Sequence, residues 1–213
     1  MFMKQRNLPR NSVFINGYKE TNPVKWMRRF GRQWKWAYQR AMYGYCDFDV
    51  WNMRGFLLSV IPDMLEELAD IAHGFPVGVS DGVTPVSKIL VSDNEIADSE
   101  LMEQWKSTLR EMAYYFREAD EETCQKANPY EAEWRQAHCE FEAEYGLFGS
   151  KIPVAEGEDL SKGRRMYCPG DFDKWKKISQ LYFKEESVKN QYRMEMLKTG
   201  MNMLRDWFWD LFD

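Results

Sequence analysis

Residues 40–76 read RAMYGYCDFDVWNMRGFLLSVIPDMLEELADIAHGFP, and the fold turns on how this run is cut into elements. Gly44 is well placed to end a helix, because without a Cβ it enters the left-handed conformation freely. Two carboxylates follow, Asp47 and Asp49, two residues apart among Tyr43, Tyr45, Cys46, Phe48 and Trp51. Asp49 predicts an N-cap, its side chain accepting backbone N–H groups at the start of a helix over about 50–72. Val50, Met53, Leu57, Val60, Ile61, Met64, Leu65, Leu68 and Ile71 give that helix its apolar stripe. Pro62 lacks the donor for the residue four back and is expected to kink it. Gly74 supplies the stop, and Asp47 is expected to pair with Arg40 or Arg54.

Upstream, residues 1–23 are polar, with Pro9, Gly17 and Pro23, and predict an extended arm. Over about 24–43, Trp26, Met27, Phe30, Trp34, Ala37, Tyr38, Ala41 and Met42 recur at three and four, which marks an amphipathic helix with a basic outer face. Downstream, residues 75–92 hold Pro76, Gly78, Gly82 and Pro85 and predict a loop with room for a short strand pair. Ser92 and Glu95 form a capping-box pattern that opens a helix to about 122, with a seam of Ile96, Leu101, Trp105, Leu109, Met112 and Phe116. Pro129 starts another, carrying Trp134, His138, Phe141 and Tyr145. Residues 146–170 form the longest irregular stretch, and a loop of that length suits a lid. A last helix begins at Asp171 or Asp173 and runs almost to the WFWDLFD terminus. The expectation is an all-α, compact bundle of about five helices, a single domain over 1–213 with long irregular loops at 75–92 and 146–170.

Composition bounds the function. A chain of 213 residues with 44% hydrophobic and 30% charged residues is an ordinary globular sequence that buries a core. The 15% aromatic content, with 9 Trp, is unusual and supplies faces for planar ligands or anchors for interfaces. A net charge of −5 argues against attraction of the whole molecule to a nucleic-acid polymer or anionic lipid. Residues 25–40 nonetheless carry Lys25, Arg28, Arg29, Arg32, Lys35 and Arg40 with no acid among them, and internal pairing with the acid-rich 93–122 and 131–144 is the first reading. Four cysteines without a CxxC pair and only two histidines give neither a zinc site nor a disulfide framework. No apolar run is long enough to span a bilayer, and the start lacks the apolar core of a signal peptide. A cytoplasmic protein with no cofactor is expected.

Motifs of catalysis are missing: there is no GxxxxGK[ST], GxSxG or HExxH. His138 and Cys139 are neighbours on a helix and point about 100° apart, so they do not pair with each other. His73 at a helix exit interacts with the helix dipole when charged. Asp47, Asp49 and His73, with Asp70, would make a metal-dependent hydrolase only if the two ends of a helix of about 30 Å met. SKGRR (Ser161–Arg165) sets cations in the long loop, either as a solvated turn or as a phosphate clamp through Arg164 and Arg165.

The pattern Arg40, Gly44, Tyr45, Asp47, Asp49, Trp51, His73, Gly74 and Pro76, together with a Trp-Phe-Trp-Asp ending, resembles small proteins of tailed bacteriophages that have no assigned function. The resemblance covers about a fifth of the chain and leaves the 146–170 loop outside it. It implies a phage product in the bacterial cytoplasm that acts by binding. The reading that joins it to the aromatic excess is a non-enzymatic protein sequestering a small nucleotide-like signal of host defence. Candidate ligand residues are Arg40, Tyr43, Tyr45, Asp47, Asp49, Trp51, Arg54, His73, Arg164 and Arg165. The alternatives are direct inhibition of a host defence protein and the metal-dependent hydrolase. Exposed rings on the C-terminal helix would make it a homo-oligomer contact.

Overall fold

The computed structural model describes residues 22–76, 98–154, 157, 159, 161 and 163–211. The N-terminal arm up to residue 21, nearly all of the 75–92 loop and the Ser92–Glu95 capping box lie outside the described residues. The protein is all-α: α1 spans Pro23–Tyr43, α2 Asp47–Trp51, α3 Met53–Ile71, α4 Asp98–Ala119, α5 Glu131–Tyr145 and α6 Asp173–Asp206. Short 3-10 turns occupy Leu147–Gly149, Pro169–Asp171 and Phe208–Asp210, and no strand occurs among the described residues.

Contacts divide the chain into two units. The first holds the residues up to Thr123 together with Met196–Asp213; the second is Cys124–Glu195.

In the first unit α3 and α4 pack face to face. Leu58, Leu65, Ala69 and Ala72 meet Trp105, Leu109, Met112, Ala113 and Phe116, closed by Trp207 from the chain end. Trp207 lies against Trp105 with ring centroids 5.1 Å apart. Gly200 of α6 lets that helix come close to α4: a Cβ there would sit 3.2 Å from the Tyr115 Cβ and 3.4 Å from the Phe116 ring. Outside the apolar seam, Arg117 bonds Glu66 with both arms at 2.8 Å and Asp63 at 3.0 Å. The hydrogen bond to Glu66 raises the Arg117 pKa above its ordinary value.

Two expectations for the 50–72 helix need correction. The segment is two helices, because Asn52 adopts φ −117°, ψ 51° and separates α2 from α3. Asp49 therefore lies inside α2 as its third residue rather than capping the long helix. Pro62, expected to kink the helix, lies buried inside α3. The terminus WFWDLFD also splits by environment: Trp207 is core, whereas Phe208 and Trp209 are exposed.

The second unit is built on rings. Phe141 of α5 is fully buried, with Trp175 at 5.0 Å and Phe172 at 5.3 Å, and Tyr145 stacks on Phe172. Trp134 is sandwiched between His138 and Tyr182, with centroids at 5.4 and 4.4 Å. Asn128 joins the start of α5 to α6: its Nδ2 donates to the Tyr182 carbonyl at 3.0 Å and its Oδ1 accepts the Tyr130 N–H at 3.0 Å.

Candidate ligand-binding site

The site begins at the ends of α1. The Asn22 side chain accepts the N–H groups of Val24 and Lys25 at 3.0 and 3.3 Å, and Pro23 occupies the first turn, where its missing donor costs nothing. At the other end Gly44 has φ +79°, and its N–H donates to the Arg40 carbonyl at 3.0 Å. That turn folds α2 back onto α1.

Both carboxylates of CDFD serve the joint between α1 and α2. Arg40 grips Asp49 with a fork: Nε donates to Oδ2 at 2.8 Å and Nη2 donates to Oδ1. Oδ2 also accepts the Cys46 N–H at 2.8 Å. Asp49 is 3% exposed, and burial alone pushes its carboxyl up. The hydrogen bonds from Arg40 and Cys46 outweigh that push and hold it below the usual carboxylate range. Hydrogen bonding to Asp49 likewise raises Arg40, whose guanidinium also stacks 5.5 Å over Phe56. The exposed Asp47 accepts from Lys35 Nζ and Gln39 Nε2, both at 2.8 Å, and its N–H donates to Gln39 Oε1 at 3.2 Å. The Lys35 bond is the main reason its carboxyl lies low. The expected pairing of Asp47 with Arg40 or Arg54 is thus corrected. Arg40 takes the buried carboxylate because the turn at Gly44 brings α2's third residue under it.

Asp47, Asp49 and His73 are not brought together. The carboxylates sit before α3 and His73 beyond its end, and 19 residues of helix measure about 28 Å. Asp70 pairs with Arg110 at 3.1 Å. Among the described residues no three His, Cys, Asp or Glu side chains converge to hold a metal ion.

The rings surrounding this joint face outward. Tyr43, Tyr45 and Trp51 are exposed, Trp51 by 81%, and so is Arg54. Phe48 links Trp36 and Trp51 in a row, with centroid separations of 5.2 and 5.9 Å. One turn N-terminal of Trp36 lies what sequence reasoning undervalued. Lys25, Arg28, Arg29 and Arg32, at helical spacings of three and four, line an open concavity of about 630 Å³ on one face of α1. No carboxylate among the described residues forms an ion pair with any of the four, and the pairs made by Lys35 and Arg40 are with Asp47 and Asp49, outside the acid-rich 93–122 and 131–144 expected to answer this helix. The signal was legible as spacing: four cations on one face, with no acid from Asn22 to Cys46.

Arg164 and Arg165 belong to the second unit. Arg164 donates to the carbonyls of Ser150 at 2.7 Å, Gly149 at 3.4 Å and Ile152, so it knits the 146–170 segment together. Arg165 stacks 5.1 Å over Tyr167 and lies 3.5 Å from Asp171. Comparison with protein families, curated proteins and solved structures finds no match to this chain.

Proposed function

We propose that this protein is a non-enzymatic binding protein that sequesters a small nucleotide-like molecule on the basic and aromatic face of α1–α2. The observation that carries the reading is the run of four cations, Lys25, Arg28, Arg29 and Arg32, followed on the same face by the Trp36–Phe48–Trp51 row. Phosphates need several cations whose charge is not already neutralised, and bases need exposed ring faces. From residue 25 to residue 36 the helix rises about 17 Å, which accommodates a ligand carrying more than one phosphate as well as a base. The Arg40–Asp49 clamp then acts by positioning, since it fixes the ring-bearing α2 against the cation-bearing α1. In an infected bacterium, where the resemblance to phage products would place it, such capture would withdraw a signal of host defence.

The test is calorimetry and thermal melting with cyclic dinucleotides, linear nucleoside triphosphates and pyrophosphate, alongside mass spectrometry of molecules released from purified protein. A ligand at a hundredfold over its Kd stabilises the fold by about 2.7 kcal/mol, which a melting curve resolves. Binding that is lost on Arg28→Glu with Arg32→Glu, and weakened on Trp51→Ala, supports the proposal. No shift with any phosphate-bearing compound, and no released small molecule, overturns it in favour of a protein partner.

A further inference from the structure

The face of α1 that carries the cations also limits what it can hold. Lys25, Arg28, Arg29 and Arg32 line a concavity of about 630 Å³, and among the described residues the carboxylates that pair with α1 go to Lys35 and Arg40 instead. On the reading of α1–α2 as a nucleotide trap, on which this inference rests, we propose that the ligand is a linear nucleoside polyphosphate. It carries one base and a chain of three or more phosphates, and a cyclic dinucleotide is a poor substitute for it.

Charge gives the phosphate count. The four cations call for about four negative charges, and a linear triphosphate supplies them near neutral pH, because its terminal phosphate, with a second pKa of about 6, is mostly doubly ionised. A cyclic dinucleotide has two diesters with a single charge each, and would leave half of the cations unanswered. From Lys25 to Arg32 the helix rises about 10 Å, which suits charge drawn out along α1 better than one compact anion. Rings give the base count. Phe48 lies 5.2 Å from Trp36 and 5.9 Å from Trp51, so the row is closed to insertion and a base stacks on its end. Trp36 is half-buried whereas Trp51 is 81% exposed, which leaves one open platform in the row. Hydrogen bonding sets the specificity. Asp47 and Asp49 are the only carboxylates from Asn22 to Asn52; Lys35 and Gln39 engage the first, Arg40 and the Cys46 N–H the second. The face thus offers donors to phosphate and a ring to the base, with both carboxylates already engaged, so it takes any of the common bases.

The experiment is calorimetric titration of the full chain, at one salt concentration, with four probes. These are the triphosphates of adenosine, guanosine, cytidine and uridine, cyclic diadenylate, cyclic diguanylate and inorganic tripolyphosphate. The triphosphates are expected to bind roughly tenfold more tightly than either cyclic dinucleotide and within about threefold of one another. Tripolyphosphate is expected to bind about tenfold more weakly than they do, since it forgoes the stacked base. Trp51→Ala should bring the triphosphates down to the affinity of tripolyphosphate and leave tripolyphosphate binding and circular dichroism unchanged, because Trp51 is exposed. Cyclic dinucleotides that match or exceed the triphosphates overturn the inference and leave the nucleotide-trapping reading in place. A preference for one base above about thirtyfold does the same, since it requires hydrogen bonds to the base edge. So does a Trp51→Ala protein that keeps the difference between nucleotide and tripolyphosphate. Binding of tripolyphosphate without any preference for nucleotides, or of no probe at all, overturns the trapping reading itself.

Discussion

Arg40 and Asp49 meet across the Gly44–Cys46 turn, with Nε 2.8 Å from Oδ2 and the carboxylate almost wholly buried. Two residues earlier, Asp47 makes a contact of the same length with Lys35 in open solvent. Nearly identical distances carry unequal weight. Removing one partner from a buried, forked pair strands the other, whereas an exposed pair trades protein contacts for water. Asp49→Ala is expected to lower stability by about 3 kcal/mol in urea denaturation. Asp47→Asn is expected to leave the denaturation midpoint where it is, and a comparable loss in both variants would contradict this assignment.

The same clamp sets an acid limit. Asp49 has a folded pKa below its ordinary value, so its contribution is fully present above the unfolded carboxylate pKa of about 4 and is lost as pH falls through the lower folded value. Melting temperature measured downward from neutrality should hold until near pH 4 and then fall. The Asp49→Asn protein should show a shallower acid limb.

Gly200 of α6 sits close against Tyr115 and Phe116 of α4. Gly200→Val should cost about 1–3 kcal/mol by overpacking against Tyr115 and Phe116. Chemical denaturation reads this directly, and a neutral result would mean that the two helices have slack.

In the second unit, Arg164 and Arg165 are adjacent cations with different duties. Arg164→Ala leaves the carbonyls of Gly149, Ser150 and Ile152 without this donor and should raise amide exchange across 147–152, at a cost of about 1–2 kcal/mol. Arg165→Ala removes an exposed cation over Tyr167 and should leave exchange unaltered.

Much of this fold is legible along the chain. The three- and four-residue recurrence over 24–43 places α1 within one residue of its start, and Gly44 marks its end by the left-handed turn that only a residue without Cβ takes easily. Asp49 reads from the sequence as the residue holding a helix start, but apolar spacing joins that start to α3. The backbone at Asn52 breaks the run although its apolar spacing continues, and spacing does not register a single residue's φ and ψ. Phe48 and the cation face do not stand out as a site, because one lies in a turn that reads as a helix start and the other reads as internal pairing with acidic segments.

Periodicity, caps and the acid-free stretch from Asn22 to Cys46 are properties of neighbours in sequence, so the amino-acid order alone determined the bounds and the charge of α1. Which carboxylate meets which cation depends on how the Gly44 turn folds α2 back onto α1, and which rings of α1 stay exposed depends on where the rest of the chain packs. Those were decided only by tertiary structure. The turn at Gly44 set Asp49 rather than Asp47 beneath Arg40, and the α3–α4 core closed with Trp207 while leaving Trp26, Phe30 and Trp34 facing outward.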